Sequence, residues 1–210
     1  MRKHRLFLWA SFSLSLGLAC VLLVYYQIQH QSNVSLQDHP GKGIPQIGGE
    51  FRLYDQQGNL RTASEFKGKY QLIYFGYSFC PDICPLGLQN MSGALNLLGR
   101  DLDDIVPIFI TIDPERDTVE NLKIYATNFH SKFLMLTGTQ EQINSVLKSY
   151  KVYAAKAKPD GTMADYLMDH STLIYLMDRQ GHFLKSFQHT ASPEELAKSL
   201  TTLLANEKKL

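Results

Sequence analysis

Two thiols four residues apart, in Cys80-Pro81-Asp82-Ile83-Cys84-Pro85, are the residues best equipped to do chemistry. They follow the apolar run Gln71–Gly76, which reads as a buried strand, and precede Leu86–Leu98, where Leu86, Leu88, Met91, Leu95 and Leu98 recur at helical spacing. A strand-to-helix turn offers free backbone N–H groups and the positive end of a helix dipole, and both stabilise thiolates. Paired thiolates either exchange a disulfide or hold a soft metal ion. The spacing is one residue longer than the redox Cys-x-x-Cys. Residues four apart share a helix face, so both sulfurs can converge on one point, and a disulfide can also span them. Pro81 stiffens the turn and Pro85 suits a helix's first turn. Two prolines bracketing the pair argue against cysteines that merely fill a core.

Seven histidines compete to be a third ligand. His4, His30 and His39 precede the folded region; His130, His182 and His189 fall at ends of elements, where a solvated role is expected. His170, in Asp169-His170-Ser171-Thr172, leads into a strongly apolar strand. In a thioredoxin-type sheet that loop faces the strand-to-helix turn. One neutral imidazole with two thiolates makes a three-coordinate site suited to Cu(I), and with an added ligand to Cu(II). From spacing alone a histidine at a strand start is more often structural, so ligation by His170 stays open. Asp169 can orient the imidazole or serve the turn. Met163 and Met168 are soft but fit core packing. A structural zinc site wants a fourth protein ligand, and none stands out. Peroxide reduction needs a compact Pro-Thr-x-x-Cys turn that the chain lacks.

The elements around these residues alternate strand and helix. Phe51–Tyr54 and the segment after Gln57-Gly58-Asn59 read as a hairpin. Ile105–Ile112 is an apolar strand with Pro107 near its start. Asp117-Thr118-Val119-Glu120 opens a helix, Phe133–Leu136 is a short strand, and a helix runs from Thr139-Gln140-Glu141-Gln142 to about Tyr150. Ser171–Met177 and His182–Phe187 flank the turn Asp178-Arg179-Gln180-Gly181, and Ser192-Pro193-Glu194-Glu195 caps the last helix. The predicted architecture is an α/β sandwich of thioredoxin type with an N-terminal β-hairpin.

Ahead of it, Leu6–Tyr26 carries no charge and is long enough to cross a bilayer as a single transmembrane helix. Arg2, Lys3 and Arg5 precede it, and no acid appears before Asp38, so the positive-inside rule keeps the N-terminus cytoplasmic. No small-residue cleavage site follows. Cys20 is expected as a buried side chain in the span, its surroundings being poor for lipid modification. The predicted organisation is a basic head at 1–5, an anchor at 6–26, a polar tether at 27–47, the thioredoxin-like domain at 48–206 and a tail at 207–210. Beyond the head, 18 of the 21 Lys and Arg face 20 Asp and Glu. This near-neutral balance, without a basic stripe, excludes nucleic acid as an expected partner. The exported part retains Cys80 and Cys84, which an oxidising compartment converts to a disulfide unless they are reduced or metallated.

Residues 48–206 resemble the Sco/SenC family of membrane-tethered, thioredoxin-fold copper chaperones of cytochrome c oxidase assembly. The likeness rests on Gly48-Gly49-Glu50-Phe51-Arg52-Leu53, Phe75-Gly76-Tyr77-Ser78-Phe79-Cys80-Pro81-Asp82-Ile83-Cys84-Pro85, Thr111-Ile112-Asp113-Pro114-Glu115-Arg116-Asp117-Thr118, Leu136-Thr137-Gly138 and Asp169-His170-Ser171. Ser78 stands where much of the family is expected to carry Thr. The resemblance implies that Cys80, Cys84 and His170 bind copper. It also implies an upstream copper donor, a thiol reductant and a copper-receiving oxidase subunit as partners. A bacterial inner membrane with the domain in the periplasm is the expected setting, since no long basic, Ser-rich targeting stretch precedes the anchor; the mitochondrial inner membrane, facing the intermembrane space, is the alternative. The rival activity is that of a thiol–disulfide oxidoreductase using Cys80 and Cys84. The longer cysteine spacing argues against it, as does the lack of a proline near His170, where redox enzymes of this fold carry a cis-proline.

Overall fold

The computed structural model describes residues 46–157 and 166–207. Strands β1 (Arg52–Tyr54) and β2 (Leu60–Thr62) form the expected antiparallel hairpin, Arg52 opposite Thr62. There follow β3 (Tyr70–Gly76), α1 (Ile83–Leu97), β4 (Ile105–Thr111), α2 (Val119–Ala126), β5 (Leu134–Leu136) and α3 (Gln140–Tyr150). After these come β6 (Ala154–Ala157), β7 (Leu167–His170), β8 (Leu173–Met177), β9 (Phe183–Gln188) and α4 (Pro193–Glu207). The central sheet has the order β5-β4-β3-β8-β9. β3, β4 and β5 run parallel, from Tyr70 opposite Ile105 to Gly76 opposite Thr111 and from Ile108 opposite Leu134 to Ile110 opposite Leu136; β8 and β9 are antiparallel additions.

Every residue of β3 is buried, because helices cover both faces of the sheet. Successive side chains alternate between those faces. The Tyr74 ring points at α1, where a Cβ on Gly87 would lie 3.2 Å from Tyr74 Cζ. Phe75 points the other way, its ring centroid 5.3 Å from that of Tyr150 on α3. Pro107 lies ahead of the β4–β5 pairing, which begins at Ile108.

Three expectations need correction. The helix after the cysteine turn starts at Ile83 rather than Leu86, so Cys84 is already helical. Proline is tolerated within a helix's first turn, where its missing N–H has no helical acceptor anyway, so Pro85 does not mark the boundary. β6 and β7 form a separate two-stranded sheet that alternation does not foretell. His170 consequently closes β7, opposite Ala154, instead of merely leading into β8. The predicted span Leu6–Tyr26, Cys20 within it and the tether up to residue 45 lie outside the described residues. Among the described residues no helix is long and apolar enough to cross a membrane.

Candidate metal centre

β3 ends at Gly76, and the chain turns through Tyr77-Ser78-Phe79-Cys80, the Cys80 N–H donating to the Tyr77 carbonyl at 3.2 Å. Ser78 fastens this turn to the loop after β4. Its N–H donates to Asp117 Oδ1 at 3.2 Å and Oδ2 at 3.1 Å, and its hydroxyl donates to the same carboxylate. Thr111 Oγ1 also donates to Asp117 Oδ2, at 2.6 Å. Burial pushes the Asp117 carboxyl above its ordinary range, against the pull of these donors. Of the Asp117-Thr118 start, Thr118 is the cap of α2, its hydroxyl accepting from the Asn121 N–H at 3.3 Å.

Helix α1 begins without a side-chain cap from Asp82. The sulfur of Cys80 takes that place, accepting the Cys84 N–H at 3.4 Å. Cys80 is buried to 8 % exposure and Cys84 completely, and both are free thiols. Cys80 is pulled down to about 4. The hydrogen bond from the Cys84 thiol is the chief cause; it outweighs burial and is helped by the amides of Cys84 and Asp82. Cys84 is pushed up, first by giving that hydrogen bond and then by burial.

His170 reaches the pair from β7. Its Nε2 stands 3.5 Å from Cys84 Sγ and its Nδ1 2.8 Å from the Ser171 carbonyl. A carbonyl only accepts, so Nδ1 carries the hydrogen and Nε2 turns its lone pair toward the sulfurs, the tautomer a metal ligand needs. The Tyr77 ring meets the imidazole edge-on at 5.9 Å between centroids. The ligand atoms of Cys80, Cys84 and His170 all lie within 4.8 Å of one another. They form a donor set of two sulfurs and one imidazole, and no fourth His, Cys, Asp or Glu joins it among the described residues.

Other candidates fall away from the cluster. Asp169 is exposed and does not orient the imidazole; the Ser171 carbonyl does. Met168 packs against the core and gives its backbone N–H to the Tyr77 hydroxyl at 3.2 Å. His130, His182 and His189 stand apart, and Met163, His4, His30 and His39 lie outside the described residues. The sequence reading missed what surrounds the donors: Tyr77 bridging to β7, Asp117 pinning Ser78, and Arg116 stacked over Phe79 at 4.8 Å from its ring centroid. The charge run Asp113–Asp117 was the visible signal, but its partners are distant in sequence.

The SCO1/SenC family model matches residues 39–205. A SCO2-like protein of Rickettsia felis is 45 % identical over 154 residues, 73 % of this chain and 75 % of that one. Protein sco1 of Schizosaccharomyces pombe is 39 % identical over 204 residues, 94 % of this chain and 78 % of that one. Among solved structures, Bradyrhizobium japonicum ScoI with copper bound superposes with a TM-score of 0.69 at 46 % identity, covering 74 % of this chain and 98 % of that one. With its thioredoxin-like sheet and its cysteines at the strand-to-helix turn, the chain belongs to the SCO1/SenC family.

Proposed function

We propose that this protein is a membrane-anchored copper chaperone that carries copper on Cys80, Cys84 and His170 to the dinuclear copper site of cytochrome c oxidase, or matures that site. The observation that supports this best is the convergence of two sulfurs and one correctly tautomerised imidazole within 4.8 Å. The similar copper-bound ScoI structure adds weight. Thiolates favour Cu(I), and three donors leave one side for an acceptor's cysteines to attack, so the cargo passes by ligand exchange. Oxidation of Cys80 and Cys84 to a disulfide removes both thiolates, so a reductant gates loading. In this reading Leu6–Tyr26 anchors the chain, residues 27–47 tether it, and residues 48–206 work in the periplasm.

Metal analysis of the reduced protein after exposure to copper, followed by gel filtration, tests the assignment. One copper per chain is expected in the parent, with lower stoichiometry or retention in Cys80→Ser, Cys84→Ser and His170→Ala. If all three variants hold copper as the parent does, the site is wrong.

One observation favours a second reading, thiol–disulfide exchange: two free thiols at a helix start, with Cys80 Sγ accepting the Cys84 N–H at 3.4 Å. Turnover of a dithiol substrate by metal-free protein separates the two. Fast exchange unaffected by His170→Ala would favour the oxidoreductase.

A further inference from the structure

His170 sits on a hairpin that is not part of the central sheet, and a two-stranded hairpin has little stability of its own. Its position therefore depends on what ties it down. Next to it, Ser171 and Tyr153 exchange two hydrogen bonds, but these link the hairpin's own ends. Tyr77 ties the cysteine turn to β7 directly, its hydroxyl accepting the Met168 N–H at 3.2 Å and its ring meeting His170. The remaining ties to the cysteine side run through Arg116. Its guanidinium carbon lies 3.7 Å from the Tyr166 ring centroid, 4.8 Å from that of Phe79 and 5.6 Å from that of Tyr77. Tyr166 immediately precedes β7, and Phe79 immediately precedes Cys80.

The guanidinium is itself held in place. Nε donates to the buried Asp113 carboxylate at 2.6 Å, and Nη1 donates to the Tyr166 carbonyl at 3.1 Å. The Tyr166 hydroxyl closes the ring by donating to Asp113 Oδ1 at 2.8 Å. On the other strand of the hairpin, Lys156 pairs with Glu115 at 2.6 Å and lies 4.5 Å from the Tyr166 ring centroid. One loop thus grips both β6 and the approach to β7, while a cation in the middle stacks against the cysteine turn. Because guanidinium is planar, it can stack on several rings at once and still donate at its edge; an ammonium cannot.

We propose that Arg116 is a positioning residue that clamps the His170 hairpin against the cysteine turn and so sets how slowly copper leaves the protein. This rests on the reading that Cys80, Cys84 and His170 hold copper. In that reading two thiolates alone still capture Cu(I), but the third ligand is withdrawn whenever the hairpin lifts, and release speeds up.

The test pairs a metal-free with a metal-loaded measurement on Arg116→Lys, which keeps the charge and loses the plane, and on Tyr166→Leu, which loses the stack and the Asp113 hydrogen bond. In reduced, metal-free protein, amide hydrogen exchange at β6 and β7 is expected to accelerate about tenfold or more, with β3 and β4 unchanged. In copper-loaded protein, release to a chelator is expected to accelerate by a similar factor. The Cu(II) spectrum is expected to lose its imidazole-nitrogen signature while one copper per chain is still captured. Tyr166→Phe, which keeps the stack, should restore most of the parent's exchange and release rates. Unchanged β6–β7 exchange, or acceleration spread evenly over the central sheet, overturns the clamp whatever the metal does. If selective β6–β7 loosening occurs but the parent itself binds no copper, the clamp stands as a hairpin tie and the copper reading fails.

Discussion

With Cys80 pulled down to about 4 and Cys84 pushed up, the metal-free pair carries one negative charge across most of the physiological pH range. The charge sits on the sulfur that accepts the first-turn amide of α1, and the buried Cys84 thiol keeps its proton. An unperturbed thiol, with a pKa of about 8.5, would gain thiolate about tenfold per pH unit between pH 5 and 8. Cys80 lies below that window, so its thiolate fraction is already saturated there and falls only as the pH drops toward 4. Iodoacetamide labelling of reduced, metal-free protein, read by peptide mass spectrometry, should therefore modify Cys80 well before Cys84. The Cys80 rate should be nearly flat from pH 5 to 8. A Cys80 rate climbing tenfold per unit would show an ordinary thiol. At neutral pH, copper entering such a site has one proton to displace from the thiols, not two.

At the scale of elements, the strand-to-helix turn works because β3 and α1 approach closely at Gly76. A Cβ there would lie 2.8 Å from Cys84 Sγ, 3.1 Å from the Phe109 ring and 3.2 Å from the Tyr74 ring. Gly76→Ala must then push the sulfur or the rings aside, at a cost of about 1–3 kcal/mol. A lower urea midpoint with an unchanged slope, together with weaker copper retention, is the expected result; a variant with the parent's midpoint would show that α1 has room to give. Glycine's role here was hidden in the sequence, because it depends on a contact made eight residues later. β3, β4, β8, β9 and the helices were legible from apolar runs, periodicity and caps. Cys80 and Cys84 were legible from type and spacing. Ala154–Ala157 carries neither β-branched residues nor apolar–polar alternation, so β6 gave no signal and β7 lost its partner. The apolar spacing that marks the helix over Ile83–Leu97 begins only at Leu86, so its first turn was not legible. The orientation of His170 was out of reach for another reason. It is fixed by the carbonyl of its own neighbour, Ser171, and backbone carbonyls leave no trace in residue type.

For the whole molecule, the question is which part of the chain carries the fold and which part places it. The buried apolar residues among those described run from Phe51 to Leu204 and form one cluster shared by the central sheet and its covering helices. Cys80 and Cys84 are members of that cluster, and Met168, two residues before His170 on β7, packs against it. The uncharged stretch Leu6–Tyr26 carries none of these elements, and the proposed function gives it a separate task, anchoring. The two tasks should therefore separate experimentally. A chain shortened to begin at residue 46 should remain soluble, unfold in one cooperative transition and bind one copper per chain when reduced. The full chain should sediment with bacterial inner membranes and resist both salt and alkaline carbonate washes, because a hydrophobic span is not released by screening charge. Release by salt alone would replace the span with an electrostatic attachment. A shortened chain that fails to fold would mean that residues before 46 contribute to the domain, and the boundary near residue 48 would have to move toward the N-terminus.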